Sequence, residues 1–399
     1  MREDDPLLRF RPEFPILEKT VYLISNSLGA MPRGAEAALA EYAGTWKTRG
    51  VRAWAEGWWE MSVSVGDGIA PLLGARAGSV SMLPSVTVAQ AVVLSCFDFR
   101  RRPRVILVEG EFPSVRYVYD ELAVRLGAEI VVVPSPERDG LAVDEEQVAT
   151  AIDDRTSAVV LSHVLFKSAY VTNLTAIVNA ANRHGAEVVL DVYQSVGTLP
   201  VDVEALGVRI AAGGVLKWLC GGPGAAFLYV HPELRKTFHP ALTGWFAHRR
   251  PFSFEDDMDL RDDAFRFLLG TPAIPALYAA REGPKIIRAA GPDAIRAKSG
   301  RQTGQIIRFA QARGFAVSAP RDPERRGGTV AVDFPHALEV SRELNARDVC
   351  VDFRPGVGIR LSPHFYNTDG EIAAAFSAID EILGGEQWKA WVGRPMPVT

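Results

Sequence analysis

The sequence predicts an α/β protein with a mostly parallel central sheet, helices on both faces of that sheet, and a smaller α+β domain. Three observations predict it. Through the middle of the chain, short runs rich in Val, Ile and Leu alternate with segments of helical period. Beyond about residue 285 that alternation gives way to a compact mixture of helices and short strands. Finally, 399 residues with 48% hydrophobic content suffice to bury two cores, one large and one small.

Residues 1–50 read as an N-terminal cap packing with the small domain, 51–285 as the large domain, and 286–399 as the small C-terminal domain. In the large domain, 105–108, 129–133, 158–162, 187–191 and 225–230 read as strands. Their apolar runs are continuous rather than alternating, as expected of strands covered on both faces. Between them, 115–126, 144–152 and 174–184 carry helical periodicity. Sheets of this kind bind ligands at the carboxyl ends of their strands, where Phe112, His163 and Asp191 fall. The small domain reads as helix 286–312, strands 316–318 and 329–333, helix 338–346, strand 349–353 and helix 369–383. No internal repeat or low-complexity linker interrupts the chain.

Composition narrows the function. The net charge is −4, and the basic clusters at 100–104 and 321–326 are short and lack interleaved aromatics. They read as solvated loops, and no nucleic-acid partner is expected. Three cysteines, Cys96, Cys220 and Cys350, are too few and too scattered for a disulfide framework or a zinc site. No metal is expected, and a reducing cytoplasm fits. The charged start, Met-Arg-Glu-Asp-Asp-Pro, has no apolar stretch behind it, so no signal peptide is expected. No run approaches the length of a membrane span.

The chemistry centres on Lys217. It ends an apolar run, Gly-Gly-Val-Leu-Lys, and precedes Trp-Leu-Cys-Gly-Gly-Pro-Gly. A lysine among small residues loses solvation, which lowers its pKa and leaves a nucleophilic amine. Twenty-six residues earlier, the strand-like 188–190 ends in Asp191. A carboxylate there can keep a pyridine nitrogen protonated. Lysine and aspartate in this order suggest pyridoxal 5'-phosphate, its aldehyde held by the lysine and its ring kept an electron sink by the acid.

Four segments carry a wider likeness: Ser25-Asn26-Ser27-Leu28-Gly29, Gly244-Trp245-Phe246, Gly270-Thr271-Pro272, and Arg354-Pro-Gly-Val-Gly-Ile-Arg360-Leu-Ser-Pro-His-Phe-Tyr-Asn367. With them the chain resembles, over nearly its whole length, a kynureninase-like member of the class V aminotransferase group of fold-type I pyridoxal-phosphate enzymes. The resemblance implies that fold, an amino-acid substrate and a homodimer with active sites shared across the interface. It puts Ser85-Val86-Thr87 at the cofactor's phosphate, at what should be a helix N-terminus. Phe112 becomes the aromatic stacked on the pyridine, with Ser114 beside it as a further cofactor contact. Gln194 falls near the phenolic oxygen, and Trp245 and Thr271 reach the phosphate, partly from the neighbouring subunit. Arg360 is implied to fork onto the substrate's α-carboxylate, with Asn26 and Ser27 completing that pocket. Lys167 is the rival lysine, but it precedes Asp191, the wrong order for this fold.

Two positions depart from the family. The tyrosine that precedes the family's lysine is Leu216 here, and the small residue two places after the aspartate is Tyr193. The Tyr193 phenol could supply the missing catalytic acid or pack against the cofactor. Three readings stay open: hydrolysis of the Cβ–Cγ bond of L-kynurenine or a related β-acyl amino acid; another class V reaction, transamination or β-elimination; and a non-catalytic binder that kept the fold. A cysteine desulfurase would need a mobile cysteine near the arginine, and 354–367 contains none.

Overall fold

The computed structural model describes residues 5–395; the first four residues of the charged start lie outside the described residues. Thirteen strands form in chain order: β1 (Val21–Tyr22), β2 (Val80–Leu83), β3 (Arg104–Val108), β4 (Glu129–Val133), β5 (Thr156–Ser162), β6 (Glu187–Asp191), β7 (Ile210–Gly214), β8 (Ala226–Val230), β9 (Ala316–Val317), β10 (Val330–Asp333), β11 (Val349–Cys350), β12 (Asp352–Arg354) and β13 (Gly358–Leu361). Seven of them build the large sheet in the order β2-β8-β7-β6-β5-β3-β4. Strands β3 to β7 run parallel, and β8 is antiparallel to both its neighbours. The expected mostly parallel α/β architecture is therefore present.

Alternate residues of these strands feed two different cores. Ile106, Val108, Val159, Leu161, Val188 and Leu190 face one; Val105, Leu107, Ala158, Val160, Val189 and Ala212 face the other. Period-two geometry splits a continuous apolar run in this way only when both faces are covered. The helix Val86–Leu94 covers the second face. Because Ser162 pairs in register with Asp191, and Asp191 with Ala212, the side chains of Ser162 and Asp191 stand on that same face at the strand ends, which the bare Cα of Gly214 also shares.

Two strands of the large sheet escape the sequence pattern. β2 is short, and β7, Ile-Ala-Ala-Gly-Gly, has almost no β-branched content. Its glycines answer to neighbours: a Cβ on Gly213 would lie 2.5 Å from the Phe227 ring, and one on Gly214 2.5 Å from Tyr193.

A four-stranded antiparallel sheet, β12-β13-β10-β9, carries a separate core with Ile306, Ile372 and Phe376. The expected helix 286–312 is two helices, Glu282–Ala290 and Pro292–Ala312, because Gly291 adopts φ +86° and proline follows. The expected strand 349–353 also divides. β11 leaves to pair in parallel with β1, while β12 turns back on β13. That pairing ties the N-terminal segment to the small sheet. Arg11 reinforces the tie with an ion pair of 2.9 Å to Glu371, and Lys298 pairs with Asp5 at 2.7 Å. The helix Arg33–Arg49 instead lies along the helix Ile274–Ala280.

Candidate active site

Five strand ends and one helix start meet at a cavity of about 250 Å³. Its walls include Ser85, Val86, Thr87, Phe112, Ser114, Asp191, Tyr193, Gln194, Leu216 and Lys217. Topology alone explains the convergence, since parallel strands deliver their carboxyl ends to one edge of the sheet.

The helix Val86–Leu94 begins with Ser85, whose Oγ accepts from Val88 N–H at 3.3 Å while its carbonyl accepts from Ala89 N–H at 3.1 Å. The N–H groups of Val86 and Thr87 come before the first intrahelical donor, Ala89 N–H, and have no acceptor one turn behind them. They are therefore free to meet an anion at the cavity.

Asp191 is buried, with Oδ1 accepting from Tyr193 N–H at 2.8 Å. Burial raises its pKa; the Tyr193 amide and the charge of Lys217 pull it back. Burial lowers the pKa of Lys217, against an opposing pull from Asp191. The Lys217 ammonium stands 4.4 Å from the Tyr193 ring centre and 5.5 Å from that of Phe112. Burial, and then the charge of Asp191, hold the Tyr193 phenol well above its usual range. Lys167 does not line this cavity: its Nζ donates to the Asp139 carbonyl at 3.2 Å. These groups fit pyridoxal 5'-phosphate: backbone amide donors for a phosphate, a buried acid for a ring nitrogen, and a desolvated amine for an aldehyde.

Gln194 is spoken for at both ends. Its Nε2 donates to the Asn26 carbonyl at 3.1 Å, and its Oε1 accepts from Trp218 Nε1 at 2.8 Å. The N-terminal motif docks directly behind the lysine. Gly29 N–H donates to the Leu216 carbonyl at 2.9 Å, and a Cβ on Gly29 would lie 2.0 Å from the Lys217 carbonyl oxygen.

Arg360, on β13, is buried close enough for its charge to bear on Lys217. Asp352 holds one edge of its guanidinium, with Nε donating at 2.9 Å and Nη2 also engaged. Nη1 donates to the Phe166 carbonyl at 2.8 Å. The Asn26 side chain covers the guanidinium, its oxygen 3.0 Å from Nη2 and 3.1 Å from both Nη1 and Nε, while its nitrogen donates to Ser362 Oγ at 2.8 Å. Ser27, the next residue, donates its N–H to the Ile24 carbonyl at 2.9 Å.

Trp245 and Thr271 lie outside the cavity. Thr271 lines an adjoining depression that shares Pro84 and Gly224 with it, whereas Trp245 sits in a separate surface hollow with Phe254 and Met258.

Two neighbours of the site escaped the sequence. Glu111 accepts from Ser162 N–H at 2.6 Å and from its Oγ at 2.9 Å. Burial and the nearby charge of Asp191 push its pKa up to about 8. An acid three places beyond an apolar strand and immediately before Phe112 was the available signal. For Asp352 the signal was an acid in the strand immediately before the arginine's hairpin.

The family described as aminotransferase class-V matches residues 33–372. The kynureninase of Pseudomonas fluorescens is 32% identical over 96% of this chain and 94% of its own length. That of Burkholderia pseudomallei (strain 1106a) is 29% identical over 97% and 95%. In fold, the chain is similar to an apo cysteine desulfurase from Thermococcus onnurineus NA1, with TM-score 0.82, 21% identity and coverage of 94% and 98%. It is also similar to a C-DES variant with glycine covalently linked to its PLP cofactor, with TM-score 0.84, 21% identity and coverage of 92% and 98%. A class-V family match over most of the chain, a mostly parallel α/β sheet and a lysine–aspartate cavity at its strand ends agree. The chain belongs to the class-V aminotransferase family and is a pyridoxal 5'-phosphate enzyme of fold-type I.

Proposed function

We propose that this enzyme hydrolyses the Cβ–Cγ bond of L-kynurenine or a related β-acyl amino acid, releasing alanine and an aromatic acid. Near-full-length likeness to kynureninases, joined to a cavity holding Lys217, Asp191 and Tyr193, carries the reading. Bound pyridoxal 5'-phosphate supplies an electron sink for negative charge at the substrate's Cα. The chain's own side chains do the rest. Val86 and Thr87 bind the phosphate through their N–H groups, aided by Ser114, and Phe112 holds one face of the ring. Asp191 keeps a proton on the ring nitrogen. Lys217, its pKa lowered by burial, takes the Cα proton at Nζ. Water adds to the substrate's ketone, the Cβ–Cγ bond breaks, and Cβ takes up a proton as the carboxylic acid leaves.

Arg360 recognises the α-carboxylate. Asp352 fixes one edge of its fork, so a substrate competes for the Nη1 side now facing Phe166 and Asn26. Leu216 lines the cavity without a hydroxyl, and the raised pKa of Tyr193 keeps its phenol protonated at neutral pH. Tyr193 is therefore the proton donor of this reading.

The inert Leu216 also favours a second reading, transamination or β-elimination of another amino acid, which needs the same base and sink but no such acid. Incubation with kynurenine, 3-hydroxykynurenine and a panel of amino acids, each with and without a keto acid, separates the two. Anthranilate and alanine from kynurenine support the first. Turnover of another amino acid with no anthranilate overturns it. The active unit of our reading is a homodimer in which Trp245 and Thr271 reach the neighbour's phosphate.

A further inference from the structure

We propose that Tyr193 and Phe112 form a two-sided aromatic clamp on the cofactor's pyridine ring, and that Gly214 is glycine in order to seat Tyr193. The inference concerns cofactor retention and does not depend on which amino acid is turned over. Both rings line the one cavity, and the Lys217 ammonium stands over the faces of both, at 4.4 Å and 5.5 Å from their centres. A flat ring that offers its nitrogen to Asp191 and its aldehyde carbon to Lys217 occupies the gap where these two faces look. The position of Tyr193 is tied to that of Asp191 by its own backbone, through the 2.8 Å bond from its N–H to Oδ1.

Gly214 supplies the independent observation. It is the last residue of β7, and its backbone is that of an ordinary strand, since it is not among the residues with positive φ. Nothing in its dihedral angles calls for glycine. Space does: an added Cβ would lie 2.5 Å from Tyr193 Cζ and 2.6 Å from both its Cε2 and its Oη. These are distances that no carbon contact tolerates, and every one involves the Tyr193 side chain, two of them its ring. β7 has thus given up a side chain on the cavity face so that a phenol can lie there. Stacking on an aromatic face is directional and adds to the area it buries.

The test is equilibrium binding of pyridoxal 5'-phosphate to protein freed of cofactor, followed by the change in cofactor absorbance. Circular dichroism melts confirm that each variant is folded. Tyr193→Ala and Phe112→Ala should each weaken binding roughly tenfold. Tyr193→Phe, which keeps the ring and loses the hydroxyl, should bind within about twofold of wild type. Gly214→Ala should weaken binding as Tyr193→Ala does, and the double variant should be no weaker than Tyr193→Ala alone, because Gly214 acts only through that ring. Wild-type affinity in Tyr193→Ala overturns the clamp, whatever the turnover of that variant. Equal losses in Tyr193→Phe and Tyr193→Ala also overturn it, because the hydroxyl and not the ring would then hold the cofactor. Should Gly214→Ala fail to fold, the three aromatic variants decide the matter by themselves.

Discussion

Burial suits Lys217 to its proposed role. An ordinary lysine titrates near 10.5, and burial lowers this one despite the opposing carboxylate of Asp191. Only the neutral amine attacks an aldehyde. The rate at which apo protein captures the cofactor covalently should therefore rise with pH and level off well below the range of a free lysine. Stopped-flow absorbance across pH measures this, and a rate still climbing above pH ~10 would contradict the burial argument. Lys217→Ala should lose the visible absorption of lysine-bound cofactor, while Lys167→Ala, whose amine lies outside the cavity, should keep it. At the ring nitrogen, Asp191→Asn should lower turnover on the order of a thousandfold or more while most cofactor stays bound. The reason is that phosphate contacts lie elsewhere, at the start of the Val86–Leu94 helix. Unchanged turnover would remove Asp191 from the mechanism.

At the scale of elements, the lysine loop is held from behind by a segment nearly two hundred positions away in the chain. Gly29 donates to the Leu216 carbonyl and packs against that of Lys217 with no room for a methyl group. Gly29→Ala should push the two segments apart and displace the lysine. Its effect should thus appear in both thermal stability and cofactor capture, with a loss of about 2 kcal/mol or more by denaturant melts. A variant as stable as wild type would mean that the docking is looser than its geometry. The final helix, Asp369–Gly384, offers a contrasting control. Thr368 and Glu371 close a capping box at its start, and neither lines the cavity. Thr368→Ala should cost about 1 kcal/mol of stability and leave catalysis alone.

At the scale of the whole molecule, two buried histidines set the acid limit. Burial lowers the pKa of His163 to about 4 and that of His364 to about 3, from an ordinary 6.5. Below that ordinary value an unfolded chain binds protons that the folded chain refuses. Their stabilising contribution is full above pH 6.5 and is lost as pH falls towards 4, at about 1.4 kcal/mol per group per pH unit. Glu111, whose raised pKa acts in the opposite sense, offsets part of this loss, so the readout is a comparison: in His364→Gln, which can still donate to the Trp218 carbonyl, melting temperature should fall less with acid than in the wild type. A slope unchanged in that variant would exonerate the histidine. On the surface, Trp245, Phe252, Phe254 and Met258 are exposed together, as the proposed dimer requires. Sedimentation should find a dimer, and a monomer that binds cofactor fully would refute the sharing of sites. Among the described residues, no helix is long and apolar enough to cross a membrane.

The chain by itself determined the parallel sheet, the order of Asp191 before Lys217 and the identity of the cofactor. Each follows from local pattern: apolar runs that need two covered faces, and residues at strand ends that topology must bring to one edge. Several features were decided only by tertiary structure. Strand β7 carried little strand signal because Phe227 and Tyr193 take the space its side chains would fill. The single strand read at 349–353 became two because β1, from the far end of the chain, claimed half of it. The resemblance singled out Arg360 as a proposed carboxylate binder, but its hold by Asp352, Phe166 and Asn26 was not legible in the sequence. Glu111 drew no reading from the sequence, because Ser162 and Asp191 come to stand beside it only in the fold. All of these depend on which surfaces meet across long sequence separations. Local periodicity carries no record of that, because excluded volume and buried charge act only once the chain has closed on itself.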